Sequence, residues 1–290
     1  MVRNETFLQK LEKQLEDIYP LIDNLMDNSE VYHHDTNGRR GNVVMLGSPV
    51  NHYRKRDEKA QLAAREKFIK LLEHIELLLH RANPKTVKQT RETEKRLIKF
   101  IEQDSYSVPA STEGGKLFFR KQSEAFRQLI SLFKKESHEL IIIPDTNALV
   151  QYPDPVAYRQ LFVSPFTLLI LPTVLSELDK LKINHRNEDF RNKAKAAIKR
   201  LKGFRMQGDV LTGITVDKTI TVKMVATEPN FEKTLKWLDP NHEDDRIIAS
   251  ALDLQVHHPA DSVILVTSDI NLQNKAQAAM LSFADTDDME

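Results

Sequence analysis

The chain has 290 residues, 40% of them hydrophobic, which is enough for two domains with buried cores. It contains no cysteine, which excludes disulfides and thiolate metal sites and suits a reducing cytoplasm. No apolar run approaches the roughly 18 residues of a membrane span, so we expect a soluble protein with no membrane partner. Neither GxGxxG nor GxxxxGK[ST] occurs in the sequence, which has 8 glycines, and this argues against dinucleotide and P-loop chemistry.

The charges are unevenly distributed although the formal net charge is zero. Residues 1–137 carry 25 Lys and Arg against 20 Asp and Glu, a balance of +5. Residues 138–290 carry 17 against 22, a balance of −5. The sequence pattern changes at the same point, so we predict a helical domain over 1–137 and a second domain over 138–290.

The first part has helical periodicity. Apolar residues from Leu8 to Leu25 are spaced three and four apart, which predicts a helix over 4–27 that Pro20 bends or breaks. The polar stretch 33–54, "HHDTNGRRGNVVMLGSPVNHYR", is predicted to be a connection, and 109–116, "PASTEGGK", a loop. Three more helices are predicted, at 56–82, 85–103 and 116–136.

The second part alternates short apolar runs with helical segments, which is typical of a parallel sheet covered by helices on both faces. The predicted strands are 140–145, 167–172 and 262–269, and a β-hairpin is predicted at 210–225. The predicted helices are 155–162, 173–181, 188–206, 230–238 and 243–256. The predicted fold class is therefore α/β, preceded by a mostly α-helical domain.

Acidic residues follow each of the three predicted strands. Asp145 ends the first, and Asp269 ends the third. Glu177 lies one helical turn into the helix after the second strand. In "NHEDDRIIASAL", Asp244 precedes Ile247 and Ile248 by three and four residues, so it should share their buried face. Asp245 should point about 100° away, as an outer neighbour.

Each acid taken alone could be a solvated helix residue or a helix cap. Four acids converging on one sheet edge would repel each other unless cations neutralised them. Oxygen ligands of this kind suit Mg²⁺ or Mn²⁺, and such ions can activate a water for attack on a phosphodiester.

The segments "PDTNALV", "LPTVLSELDKLK", "EDDRIIASAL" and "LVTSDINLQNKA" resemble, in this order, the PIN domain family of metal-dependent ribonucleases. The resemblance covers about residues 139–283. It implies a PIN-like sheet and an Mg²⁺- or Mn²⁺-dependent endoribonuclease that cuts single-stranded RNA, with DNA left open. It implies a catalytic and metal-binding quartet of Asp145, Glu177, Asp244 and Asp269. Further expected members of the site are Asp245 as an additional ligand and Thr146, Asn147 and Ser268 in support.

Ten Lys and Arg residues lie between 180 and 205, close behind Glu177. Such a block could contact phosphates or form a solvated helix face. Lys182, Arg186, Arg191 and Lys193 are its expected nucleic-acid contacts. The helical domain could bind RNA, form a homodimer or bind a regulatory protein. The alternative to a nuclease is a non-catalytic PIN-like module that binds RNA or a protein partner.

Overall fold

A computed structural model describes residues 5–34, 38–40, 43–45, 50–55, 57–104, 108–136 and 138–289. The chain divides into two compact units. One unit consists of Leu8–Lys134, and the other of Met1–Phe7 with Lys135–Glu290. None of the helices in these ranges combines the length and the apolar character needed to cross a membrane.

The first unit is mainly helical, as predicted. Its helices are α1 (Phe7–Asp27), α2 (Glu58–Leu79), α3 (Pro84–Ile101) and α4 (Thr112–Ser131). Its strands are β1 (Ser29–His34), β2 (Gly38–Arg40), β3 (Val43–Met45) and β4 (Val50–Lys55). The apolar seam of α1 is buried, with Leu11, Leu15 and Leu25 fully inaccessible to solvent. Pro20 does not break α1, which is assigned as one helix through it.

Two predictions for this unit are wrong. The stretch 33–54 is not merely a connection, because β1 and β4 pair antiparallel over six residues each. Helix α4 also begins earlier than expected, at Thr112, inside the predicted loop. The Ser111 hydroxyl accepts a hydrogen bond from the Gly114 N–H and caps the helix at that point. The two consecutive glycines obscured this helix start, since glycine disfavours helix interiors.

The second unit is an α/β domain with a mostly parallel sheet, as predicted. Its strands are β5 (Leu140–Pro144), β6 (Phe166–Ile170), β7 (Ile214–Asp217), β8 (Ile220–Met224), β9 (Ser262–Val266) and β10 (Ser282–Ala284). Its α-helices are α5 (Thr146–Gln151), α6 (Pro172–Asn184), α7 (Glu188–Gln207), α8 (Glu243–His257) and α9 (Ile270–Ala278). Its 3-10 helices are Pro155–Gln160, Phe231–Lys233 and Thr286–Met289.

The sheet has the strand order β10-β9-β5-β6-β8-β7. All neighbouring strands are parallel except β7 and β8, which form the predicted hairpin. Strands β5 and β9 are buried along their whole length, which explains their unbroken apolar sequences. The helical segments predicted at 155–162 and 230–238 are 3-10 helices, and the second is shorter than predicted, since it covers only Phe231–Lys233.

Candidate active site

The acidic residues lie at the carboxyl edge of the three central strands. Asp145 directly follows β5, and Asp269 lies three residues beyond the end of β9. Glu177 lies in the second turn of α6, which follows β6. Because β9, β5 and β6 are neighbouring parallel strands, their carboxyl ends meet at one edge, where open α/β sheets bind ligands.

One open cleft of about 240 Å³ lies at this edge. Thr146, Asn147 and Lys180 contribute to its walls. Five acidic side chains also line it: Asp145, Glu177, Glu243, Asp244 and Asp269. The structure therefore brings together all four residues of the expected quartet, and it adds Glu243 to them.

Asp145 is fixed in orientation by the residues around it. Only 4% of it is exposed, and its Oδ1 accepts a hydrogen bond of 2.6 Å from the Ala148 N–H at the start of α5. The Thr267 hydroxyl donates to the other oxygen. Burial raises the pKa of the Asp145 carboxyl, although these hydrogen bonds oppose the shift. The carboxylate serves as a helix cap and still borders the cleft.

The carboxyl groups of Glu177 and Glu243 contact each other. Burial raises the pKa of Glu177 to about 7, and contact with the Glu243 carboxyl contributes to the same shift. The Thr146 hydroxyl donates to Glu177 and opposes it. A hydrogen bond from Lys180 lowers the pKa of Glu243. Asp145 and Glu177 therefore hold their protons more tightly than ordinary carboxyl groups, and a cation bound in the cleft would favour their ionised forms.

The two adjacent aspartates of α8 have different surroundings. Asp244 borders the cleft and is partly exposed, whereas Asp245 is only 6% exposed and lies outside the cleft lining. Asp245 accepts a hydrogen bond from the Asp239 N–H, and Lys275 pairs with both aspartates. The expectation that Asp245 would be the outer residue is wrong, because α8 packs on α6, α9 and β9 and is buried on most of its sides.

Some of the remaining expected residues line the cleft and others do not. Asn147 is exposed within the cleft, and Asp269 caps α9 by accepting hydrogen bonds from the Asn271 and Leu272 N–H groups. Ser268 is exposed and does not line the cleft. The expected nucleic-acid contacts Lys182, Arg186, Arg191 and Lys193 do not line it either.

The sequence reasoning missed Glu243 and Thr267. Glu243 lies four residues before Ile247, so the helical spacing that identified Asp244 could also have identified Glu243. Thr267 follows β9 and is fully buried, and its sequence position showed no sign of its contact with Asp145. That contact joins residues 122 positions apart.

The donors of the cleft suit a hard divalent cation, since they are carboxylate, hydroxyl and amide oxygens. The carboxyl groups are nevertheless not gathered tightly. Among the described residues, no three His, Asp or Glu side chains are placed to hold one ion together. The donor chemistry therefore fits Mg²⁺ or Mn²⁺, although the described carboxyl groups are not arranged around one ion position.

The sequence profile of a PIN domain matches residues 142–287 of the chain. The chain belongs to the PIN domain family. Members of this family are generally nucleases. The matched segment includes every acidic residue of the cleft and all strands from β6 to β10. A search among curated proteins finds no match to the chain.

Proposed function

We propose that the chain is a metal-dependent endoribonuclease that hydrolyses phosphodiester bonds of single-stranded RNA. Asp145, Glu177, Asp244 and Asp269 would hold Mg²⁺ or Mn²⁺, with Glu243 as a fifth carboxylate. One observation carries the proposal, namely five acidic side chains lining one cleft at the carboxyl edge of a PIN domain sheet. Asp245 is assigned a supporting role, because it lies outside the cleft lining.

The residues of the chain orient these carboxylates before any ligand binds. The α5 backbone and Thr267 hold Asp145, and the Thr146 hydroxyl holds Glu177. Lys275 pairs with Asp244 and restrains it from the side of α9. A bound divalent ion would activate a water and neutralise charge on the scissile phosphate. Preorganised carboxylates lower the cost of collecting the ligands around that ion.

The substrate is proposed to be RNA on the basis of the family resemblance, and DNA is a comparison in the test. The cleft is open, which suits an extended strand rather than an enclosed small molecule. Lys180 is the basic residue of the cleft lining, and the basic side chains of α6 and α7 follow it in sequence. The lack of cysteine suits a reducing cytoplasm, where we propose that the chain acts.

The test is cleavage of a labelled single-stranded RNA with Mn²⁺ or Mg²⁺ by the full chain and by Asp145→Asn. We expect the variant to lose about a hundredfold or more in cleavage rate, the scale of electrostatic groups in active sites. Asp253→Asn is the matched control, because Asp253 is a partly exposed acid of α8 that pairs with His257 and lies outside the cleft lining. Undiminished cleavage by Asp145→Asn would refute the assignment. Cleavage of a DNA strand of the same sequence shows whether the reaction requires ribose.

The second candidate is a PIN domain that binds RNA or a protein without cleaving it. The spacing of the acids favours this candidate, since no three of the described His, Asp and Glu side chains are placed around one ion. Calorimetry with Mn²⁺ separates the two candidates. The nuclease should bind the ion and lose that binding in Asp145→Asn, whereas a non-catalytic module should show neither binding nor cleavage.

A further inference from the structure

Helix α7 carries a row of four basic side chains along one face. Residues three or four apart lie on the same face of a helix, and the members of this row are spaced four, three and three apart. We call the row the α7 stripe, and its members are Lys195, Lys199, Lys202 and Arg205. All four are exposed, and the stripe is about 15 Å long at roughly 1.5 Å of rise per residue. None of them is among the nucleic-acid contacts expected from the sequence.

The acidic residues of α7 do not neutralise the stripe. They are Glu188 and Asp189, both in the first turn, and even Asp189 lies about 9 Å from Lys195 along the helix axis. The next acid in the chain, Asp209, follows the helix, and its carboxylate accepts a hydrogen bond from the Leu211 N–H. In the part of the chain that the structure describes, no acidic side chain forms an ion pair with a member of the stripe.

The neighbouring elements do not supply the missing negative charge. Helix α7 packs chiefly against α6 and against α5, which has no charged residue. The acids of α6 are Glu177, which lines the cleft, and Asp179, which pairs with Lys182. Asp154 pairs with Arg200, a residue of α7 outside the stripe. The stripe is therefore a positively charged surface on a domain whose overall balance is −5.

The stripe is unfavourable for the helix that carries it. Like charges three or four residues apart on a helix repel each other, and every neighbouring pair in the stripe is of this kind. Other helices of the chain place opposite charges at the same spacing, as in Lys116 with Glu113, Arg127 with Glu124, and Lys182 with Asp179. The repulsion along the stripe destabilises α7, and a bound polyanion would relieve it.

The surroundings of the stripe indicate which polyanion fits. The apolar face of α7 is buried in the domain, so the helix has no face left to insert into a lipid surface. Its aromatic residues are also occupied, because Phe204 is 4% exposed and the Phe190 ring lies 4.4 Å from that of His185. The stripe thus offers a straight row of charges without rings. Such a row suits the repeating charge of a phosphodiester backbone rather than the bases.

We propose that the α7 stripe binds the phosphate backbone of RNA, outside the cleft and independently of base sequence. None of its members lines the cleft, whereas α6, on which α7 packs, contributes Glu177 and Lys180 to it. The stripe would therefore hold nucleotides that flank those in the cleft. The choice of RNA rests on the proposed function. The binding of a polyanion does not, because it depends on the charges of α7 alone.

The test uses the full chain carrying Asp145→Asn, in EDTA, and a fluorescein-labelled RNA of 12 uridines. Fluorescence anisotropy at several salt concentrations measures the log–log slope of affinity against salt. The triple variant Lys195→Gln, Lys199→Gln and Lys202→Gln should weaken binding and lower the slope by about 2, since each single-strand phosphate contact contributes about 0.7. Lys195→Gln alone should lower it by about 0.7.

The matched control removes three exposed lysines from α3, through Lys88→Gln, Lys95→Gln and Lys99→Gln. It makes the same change in net charge, and it should lower the slope by less than one contact, about 0.7. An equal loss in the control would overturn the proposal, because net charge rather than the stripe would then govern binding.

Thermal unfolding gives an independent measurement. Glutamine and lysine have similar helix propensities, and the stripe variant removes repulsion within α7. Its thermal midpoint should therefore equal or exceed that of the parent. A lower midpoint would overturn the proposal, because the lysines would then stabilise the domain itself. The single variant Lys195→Gln still provides the slope if the triple variant does not fold.

The binding measurements also decide between occupants. An unchanged slope in the triple variant would overturn the proposal. So would phosphatidylserine vesicles, or polyglutamate, that bind the parent as tightly as the RNA and lose that binding in the triple variant. An RNA of mixed sequence should show the same loss of slope as the uridine strand, and a different loss would contradict base-independent binding. A strand of 12 thymidines that binds more tightly would overturn the choice of RNA.

Failure of the proposed function has a different signature. In that case the wild-type chain would not cleave RNA with Mn²⁺, while the stripe variants would still lose binding in EDTA. Failure of the stripe proposal alone would leave cleavage intact in wild type and the salt slope unchanged in the triple variant.

Discussion

At the scale of single residues, a carboxylate's surroundings decide what its loss should cost. Asp244 and Asp245 are adjacent and pair with the same lysine, but only Asp244 borders the cleft. Burial tends to raise the pKa of Asp245, yet hydrogen bonds from Lys275 and the Asp239 N–H outweigh it and lower that pKa. Asp245 is therefore an ionised structural group, and Asp244 is the candidate ligand.

We predict that the two asparagine variants affect different properties, the cleavage rate in one case and the stability in the other. Asp244→Asn should reduce metal-dependent cleavage about a hundredfold or more while leaving the thermal midpoint nearly unchanged. Asp245→Asn should cost about 1–3 kcal/mol of unfolding free energy, because it weakens a buried charge-assisted contact. Cleavage rates and urea denaturation of both variants measure this. Reversed effects would show that the roles of the two residues are exchanged.

His74 should make the stability of the helical unit depend on pH. It is 1% exposed on α2, and burial, followed by the Lys70 charge, lowers its pKa from 6.5 to about 4. The unfolded chain thus binds a proton near pH 6.5, whereas the folded chain does not until about pH 4. With respect to His74, the unfolding free energy therefore has its full value above pH 6.5 and falls as the pH drops from 6.5 towards 4.

Urea denaturation at several pH values measures this contribution. In wild type, the unfolding free energy should fall by about 3 kcal/mol between pH 6.5 and 4 because of this group alone. His74→Gln should flatten that part of the curve, while His80→Gln should leave it unchanged because His80 is exposed at the end of the same helix. Equal slopes in wild type and His74→Gln would contradict the prediction.

At the scale of elements, α6 and α7 carry the basic residues that follow Glu177, and these residues differ in their contacts. Lys182 pairs with Asp179 one turn away, and Arg191 donates to the carbonyl oxygens of His185 and Arg186. Arg191 therefore holds the connection between the two helices. Arg186 and Lys193 are exposed, which makes them the stronger candidates for phosphate contacts.

Charge reversal tests this block. The double variant Arg186→Glu with Lys193→Glu should weaken RNA binding and lower its log–log salt slope by about 0.7 per lost contact. Lys88→Glu, an exposed reversal on α3, serves as a control for charge outside the block and should change the slope less. Anisotropy titrations at several salt concentrations provide the measurement. An unchanged slope in the double variant would show that these two residues contact no phosphate.

At the scale of the whole molecule, the apolar seam of α1 is buried against residues of its own chain. Leu11, Leu15 and Ile18 are at most 1% exposed. Polar contacts also tie α1 to α4, including Arg120 with Asp23 and the Tyr19 hydroxyl with Ser123. No second copy is needed to cover this stripe. A homodimer or a regulatory partner would have to use another surface of the helical unit, and such a partner stays a prediction.

Leu15→Asp should consequently unfold the helical unit rather than separate two subunits. A charge placed at a fully buried position, with the apolar contacts also lost, should cost more than about 3 kcal/mol. Light scattering and circular dichroism of wild type and variant measure the result. Leu62→Asp is the control, because Leu62 is 63% exposed on α2. A folded variant whose mass halves would show that α1 joins two copies.

Much of the fold, and the placement of the four acids at one sheet edge, could be predicted because their signals are local. Buried parallel strands have unbroken apolar sequences, as in β5 and β9, and helix seams repeat every three or four residues, as in α1 and α8. An acid that directly follows such a strand, as Asp145 follows β5, must lie at its carboxyl edge. The order of four motifs then indicated the family, and the profile match confirmed it.

The remaining features were decided by contacts between distant residues. The pairing of β1 with β4 joins strands whose polar sequences show no alternation, so only the hydrogen-bonded partner makes them a ribbon. Thr267 contacts Asp145 across 122 positions, and α8 is enclosed on several sides, which buries Asp245 against expectation. The sequence by itself determined that Asp145, Glu177, Asp244 and Asp269 lie at one edge of the sheet. Only the tertiary structure decided which carboxylates share the cleft and which are buried supports, because burial depends on neighbours that are distant in sequence.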